Sequence, residues 1–144
     1  MNKIYIDNIS ISVKIIKSAP IADLTALYKS AGWWDAQCDH NPEFVNHIVK
    51  NSAFFAGAFI KDKMVGMGRV LSDMVSDAYI HDVAVLDQYK DKGIGKMIVD
   101  LLVKELRLKK IDWIGLIACP ETSSFYKKLG FEQLKDYTPM KYMG

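Results

Sequence analysis

Three apolar runs of strand length follow one another between Ala53 and Leu86, and a long amphipathic segment comes only after them. That order narrows the possible folds more than any other feature. Ala53 to Ile60 and Met64 to Leu71 are joined by Lys61-Asp62-Lys63, a hairpin signal, and Ala78 to Leu86 follows the polar turn Ser72 to Asp77. The helix predicted from about Gly93 to Lys109 carries Ile94, Met97, Ile98, Leu101, Leu102 and Leu106 on one face. It leads into Ile111 to Ala118, which reads as a buried strand. A meander followed by such a strand–helix–strand step makes a mixed sheet whose last crossover is parallel and right-handed.

The flanks complete the pattern. Ile4 and Ile6 alternate, as do Ile9, Ile11, Val13 and Ile15, with Asp7-Asn8 as a turn between them. A helix is predicted from near Pro20, with Ile21, Leu24, Leu27 and Tyr28 inward and Gly32 as its stop. Asn41-Pro42 reads as the N-cap and first position of a second helix carrying Phe44, Val45, Ile48 and Val49. Pro120 opens a short helix that Gly130 closes, and further strands are expected at Phe131 to Leu134 and about Thr138 to Met143. The expected fold is α/β in the α+β sense, one mixed sheet of six to seven strands with helices on both faces, in a single domain over residues 1–144.

Composition removes several function classes. The net charge of +2 lacks a polybasic run, so neither nucleic acid nor a membrane surface is an expected partner. Cys38 and Cys119 fit no disulfide framework and no metal-ligand spacing, so no metal site is expected. The start MNKIYIDN has no apolar core with a cleavage site, and no stretch approaches ~18 apolar residues. A cytoplasmic protein with reduced thiols is the expectation.

The junction after Leu86 is chemically the richest. Lys90-Asp91-Lys92-Gly93-Ile94-Gly95-Lys96 lies between a strand and a helix start. Gly93 and Gly95 allow close backbone approach, the helix's first N–H groups and its dipole favour an anion, and three lysines surround it. This is not a Walker loop, since Met97 follows Lys96, and only part of a dinucleotide fingerprint is present. The loop alone fits a phosphate site and a plain helix start with solvated lysines equally well.

With its flanks, the segment resembles the GNAT superfamily of N-acetyltransferases. The loop matches that family's Arg/Gln-x-x-Gly-x-Gly/Ala signature, and Phe125-Tyr126-Lys127-Lys128-Leu129-Gly130-Phe131 matches its second signature. Lys90 stands where the family has Arg or Gln, keeping charge but losing the bidentate fork. Cys119 stands where many members place an Asn. The resemblance implies acetyl-CoA as cofactor and the GNAT acyl-CoA N-acyltransferase fold. It implies that Val83, Ala84 and Val85 pair with pantetheine, that residues Lys90, Asp91, Lys92, Gly93, Ile94, Gly95 and Lys96 hold the pyrophosphate, and that Cys119 and Phe125 lie beside the cofactor.

For the chemistry, the resemblance implies Tyr126 as general acid, with the ordinary phenol pKa of ~10 suited to a thiolate leaving group. Strand alternation places Tyr79, His81, Val83 and Val85 on one face and Asp82 on the other. Tyr79 to Val85 looks like the arylalkylamine branch of the family, which implies His81 as the base. A histidine hydrogen-bonded within the strand is the competing reading. Trp33, Trp34 and Tyr79 are expected at the acceptor side, and Cys119 as a buried thiol rather than a nucleophile. The implied activity is direct acetyl transfer to a primary amine of a small molecule. Peptide or protein acetylation at an N-terminus or lysine, and a non-catalytic acyl-CoA-binding regulatory module, are the alternatives. The late strands make a homodimer an expectation.

Overall fold

The computed structural model describes residues 2–144, leaving Met1 outside. The described residues form six strands, β1 (Asn2–Ile6), β2 (Ile9–Ile15), β3 (Phe54–Ile60), β4 (Lys63–Leu71), β5 (Asp77–Val85) and β6 (Trp113–Leu116). Four α-helices accompany them, α1 (Ile21–Ser30), α2 (Phe44–Asn51), α3 (Ile94–Leu108) and α4 (Ser123–Lys128), with short 3-10 turns at Ala36–His40 and Asp87–Tyr89. The strands lie side by side in chain order, antiparallel from β1 to β5, with β6 parallel to β5. This is the expected mixed sheet.

Helices cover both faces. Tyr28 of α1 reaches Arg69's partner Asp82, whereas Ile98 and Leu102 of α3 lie over Gly68. Residues 68 and 69 are neighbours on β4, so the two helices are on opposite faces. Ile98, Leu102 and Leu106 of α3 are fully buried, as are Leu24 and Leu27 of α1. Each such side chain contributes ~1.5–3 kcal/mol of burial. Under α3 the sheet is made of small residues. Ala56 pairs with Gly68 and Ala58 with Gly66, which lets the helix approach closely.

Three helices end alike. Gly32, Lys110 and Gly130 have φ of +78°, +62° and +97°. In each case that residue's N–H bonds back three residues and the next N–H bonds back five: Trp33 to Tyr28, Ile111 to Leu106, and Phe131 to Tyr126. This is the Schellman termination, with an apolar contact across the cap. Gly32 and Gly130 are therefore the stops expected from sequence, for a stated stereochemical reason.

Several expectations fail. α2 begins at Phe44, with Pro42 in the preceding turn rather than at its first position. β6 covers only Trp113–Leu116 and is half-exposed, because among the described strands it is a sheet edge. No strand forms at 131–134 or 138–143. Residues 132–144 are exposed, with Met140 at 90% and Tyr142 at 89%, so their apolar alternation has no neighbouring strand to pair with.

A Cβ at residue 68 would sit 2.7 Å from Ile98 Cγ2. Gly68→Ala is therefore expected to lift α3 and lower the unfolding free energy by ~1–3 kcal/mol, read by urea denaturation. An unchanged midpoint would show that α3 is not held this tightly.

Candidate functional site

β5 and β6 share hydrogen bonds only over the first half of β5. Their register runs from Asp77–Trp113 to Ile80–Leu116 and stops there. From His81 to Val85, β5 keeps pairing with β4 but has no partner on its other side among the described residues. The strand therefore presents free backbone donors and acceptors along one edge, leading directly into the glycine loop.

That loop is shaped to expose N–H groups. Lys90 is extended, Asp91 has φ +59°, and Gly93 caps α3 in the left-handed region at φ +86°. The first backbone bond of α3 runs from Met97 N–H to Gly93 O at 3.1 Å. The N–H groups of Ile94, Gly95 and Lys96 thus find no carbonyl in their own helix, and the positive end of its dipole lies there. Ile94 is buried, Gly95 is half-buried and Lys96 is exposed, so the outer N–H groups of this turn are those of residues 95 and 96. Lys90 pairs with Asp87 at 2.7 Å, Lys92 approaches Asp7 of the β1–β2 turn at 4.0 Å, and Lys96 pairs with Asp100. These exposed pairs are weak, and an anion can compete for the lysines.

Gly95, Val85 and Phe125 come together. A Cβ at residue 95 would lie 3.3 Å from Phe125 Cζ and 3.9 Å from Val85 Cγ2. Phe125 of α4 thereby closes the far end of the gap between β5 and the last strand. Next to it, the Tyr126 ring stands edge-on to Phe125 at 4.9 Å and to Phe131 at 5.9 Å. The Gly130 cap produces the second contact, since it folds Phe131 back over Tyr126. Burial pushes the Tyr126 phenol up to about 12, with the charge of Cys119 adding to it. This exceeds the ordinary phenol value expected from sequence. Cys119 itself is exposed, not buried, because the chain leaves the sheet after Leu116.

The strand alternation expected around His81 is broken. Met67 faces Ala84 and Arg69 faces His81, so the single residue Gly68 spans two residues of β5, Asp82 and Val83. Asp82 takes φ +55° at this bulge. Val83 stays on the α3 face, with Cγ2 3.4 Å from a Cβ at residue 68. His81, directly opposite Arg69, shares Arg69's face, which is the α1 face. Val85 lies opposite Gly66 on the α3 face. The single face proposed for Tyr79, His81, Val83 and Val85 is thus two faces, with Tyr79 and His81 on one and Val83 and Val85 on the other. A bulge adds one residue and reverses the alternation beyond it.

Asp82 was missed as a site residue. Its Oδ2 accepts from the Tyr28 hydroxyl at 2.8 Å and from Arg69 Nε at 2.7 Å. It therefore sits on the α1 face rather than on the opposite one. The only sequence signal was a carboxylate in the middle of an apolar strand. On the same face Tyr79 packs at 5.3 Å against Trp113, whose ring lies over Gly115. Trp33 packs beside Tyr28 at 6.3 Å. Trp34 does not join them. It stacks on Phe44 and lines an open cleft with Ala22, Thr25 and Lys29, on the face of α1 turned away from the sheet.

A family model described as an acetyltransferase (GNAT) domain matches residues 21–141. The chain belongs to the GNAT family of acetyltransferases. It is an N-acetyltransferase, in a family that generally takes its acetyl group from acetyl-CoA. It is 34% identical over 131 residues to the uncharacterized N-acetyltransferase ycf52 of Pyropia yezoensis, spanning 88% of this chain and 72% of that protein. Histone acetyltransferase TAP1 of Glycine max is 37% identical over 70 residues, 49% of this chain and 30% of that protein. In fold, a GNAT family acetyltransferase from Streptococcus pneumoniae superposes with a TM-score of 0.78 at 24% identity, covering 93% of this chain and 98% of its own. No helix among the described residues is long and apolar enough to cross a membrane.

A phenol whose folded-state pKa is raised stabilises the fold below the unfolded value of ~10 and loses that contribution as pH climbs through about 12. Gly130→Ala places a Cβ in the left-handed region, at a cost of ~1 kcal/mol. The loosened cap is expected to bring the Tyr126 midpoint down toward 10 in an ultraviolet phenolate titration. An unmoved midpoint would separate the cap from the tyrosine's burial.

Proposed function

We propose that the chain transfers an acetyl group from acetyl-CoA directly to the primary amine of a small molecule. The observation that carries this reading is the parting of β5 from β6 after Ile80, which opens a free strand edge ending at exposed helix N–H groups. Pantetheine pairs with the backbone of Val83, Ala84 and Val85, as an added strand would. The pyrophosphate sits on the N–H groups from Lys90 to Lys96, with Phe125 and Cys119 alongside. Bound acetyl-CoA supplies a thioester carbonyl for the amine to attack.

His81 accepts the proton that the incoming ammonium must lose, from the α1 face where Tyr79 and Trp33 form the acceptor side. Tyr126 donates a proton to the departing sulfur. Its raised pKa keeps it protonated throughout the neutral range, so the donor form is the one present. The likeness of Tyr79 to Val85 to the arylalkylamine branch supports the role given to His81. Two free cysteines suit a reducing compartment, and we place the chain in the cytoplasm.

Acetylation of a peptide or protein is the second reading. It is favoured by the open acceptor side, where Tyr79 and Trp113 are 46% and 42% exposed, and by the name of the Glycine max relative. A CoA-release screen with acetyl-CoA, comparing small amines with lysine-bearing peptides, decides between the two. No release with any acceptor would leave only acyl-CoA binding.

Two variants test the roles separately. Tyr126→Phe is expected to lower kcat by about a hundredfold with CoA affinity retained, in keeping with the loss of a general acid. Equal turnover would remove the assignment. Gly93→Val forces a branched side chain to φ +86°, and its CoA dissociation constant in calorimetry is expected to rise by about tenfold or more. Unchanged binding would sink the phosphate loop.

A further inference from the structure

Three elements meet at one carboxylate oxygen. Tyr28 from α1 and Arg69 from β4 both donate to Oδ2 of Asp82 on β5. The Arg69 and Asp82 side chains are only 18% and 21% exposed, so the pair is largely sheltered from solvent. Tyr28 is buried, and burial followed by the Asp82 charge raises its pKa well above the ordinary phenol range. It therefore acts as a donor throughout the neutral range.

The position of this contact gives it a consequence. Asp82 is the left-handed residue of the β5 bulge, and that bulge turns His81 to the α1 face while Val83 and Val85 remain on the α3 face. A non-glycine residue is strained in this conformation and holds it when its surroundings over-determine it. Here the surroundings are two donors on one oxygen, anchored in α1 and β4. Tyr28 is in turn fixed by the Gly32 cap, which folds Trp33 against it.

Resting on the acetyltransferase reading above, we propose that Tyr28, Asp82 and Arg69 are positioning residues for acetyl transfer, locking the β5 bulge so that His81 and the α1 wall address the acceptor as one rigid unit. None of the three needs to touch the substrate. The network sets the angle between the acceptor side and the free edge of β5, and so the approach of amine to thioester.

Three variants separate backbone from contact. Asp82→Gly keeps the left-handed backbone free of strain and removes both hydrogen bonds. Asp82→Asn tolerates the same backbone and keeps an accepting oxygen but loses the charge. Tyr28→Phe removes one donor and keeps the ring, and serves if a residue 82 variant fails to fold. Two readouts are taken: steady-state kinetics against an amine that the parent acetylates, with the CoA dissociation constant, and the imidazole C–H resonances of the three histidines.

Asp82→Gly and Tyr28→Phe are each expected to lower acceptor kcat/KM by about tenfold or more, as misplacement of reacting groups does, while CoA affinity stays within about twofold. The His81 resonance is expected to shift in both, with the exposed His40 and His47 unmoved, and Asp82→Asn to lie between these variants and the parent. Parent-like kinetics or an unmoved His81 resonance in Asp82→Gly and Tyr28→Phe would overturn the proposal, as would a parallel loss of CoA affinity. If the parent acetylates no amine, the acetyltransferase reading of the acceptor fails by itself, and the His81 resonance still decides whether the network holds the bulge.

Discussion

After Ile80 the fifth strand loses its neighbour on one side, and the site is built on that loss. Peptide groups left unpaired away from water are costly, so an open edge inside a sheet persists only where solvent or a ligand can reach it. The architecture keeps this one open. Among the described residues β6 is only four residues long, and the chain then leaves the sheet. On the other flank α3 is drawn down onto Gly66 and Gly68, which places its N-terminus at the end of the free edge. Phe125 occupies the space over Gly95, where any side chain on residue 95 would crowd it. A free edge, a cluster of free N–H groups and an aromatic stop are therefore contiguous because of a few glycines.

The parts of this arrangement legible in the sequence are those governed by local rules. The meander, the long amphipathic helix, the stops at Gly32 and Gly130 and the loop around Gly93 all follow from periodicity or backbone stereochemistry, and the structure has them. What was not legible depended on partners distant in sequence. The apolar alternation after Phe131 suggested strands, yet alternation makes a strand only where an edge receives it. Cys119 looked buried because its strand was read as longer than it is. The face of His81 was misjudged because alternation assumes that no residue is inserted. The insertion at Asp82 is visible only in its pairing with β4.

The two tyrosines with raised pKa occupy equivalent places in their helices. Tyr28 and Tyr126 each lie three residues before the last cap position and offer a carbonyl to the residue after a left-handed glycine. In each case that following residue is aromatic, Trp33 or Phe131, and packs on the tyrosine ring. The termination thus does more than end a helix, since it immobilises and partly buries a phenol. What differs is what the hydroxyl meets. Tyr28 meets a carboxylate and becomes a fixed donor, whereas Tyr126 forms no such ion-supported bond, and burial is the chief cause of its raised pKa.

That difference separates a phenol bound into a charged network from one held by aromatic packing. A sheltered Arg–Asp pair adds little stability over apolar residues of the same volume, because desolvation consumes most of its attraction. Its physical effect lies in geometry, since Arg69 and Tyr28 together define where Oδ2 of Asp82, and with it the bulge, must sit. The half-buried Tyr126 phenol has no such carboxylate, and burial chiefly keeps it protonated across the neutral range. The two tyrosines are thus distinguished by their neighbours: the Tyr28 phenol is tied to Asp82, and the Tyr126 ring is held edge-on between Phe125 and Phe131.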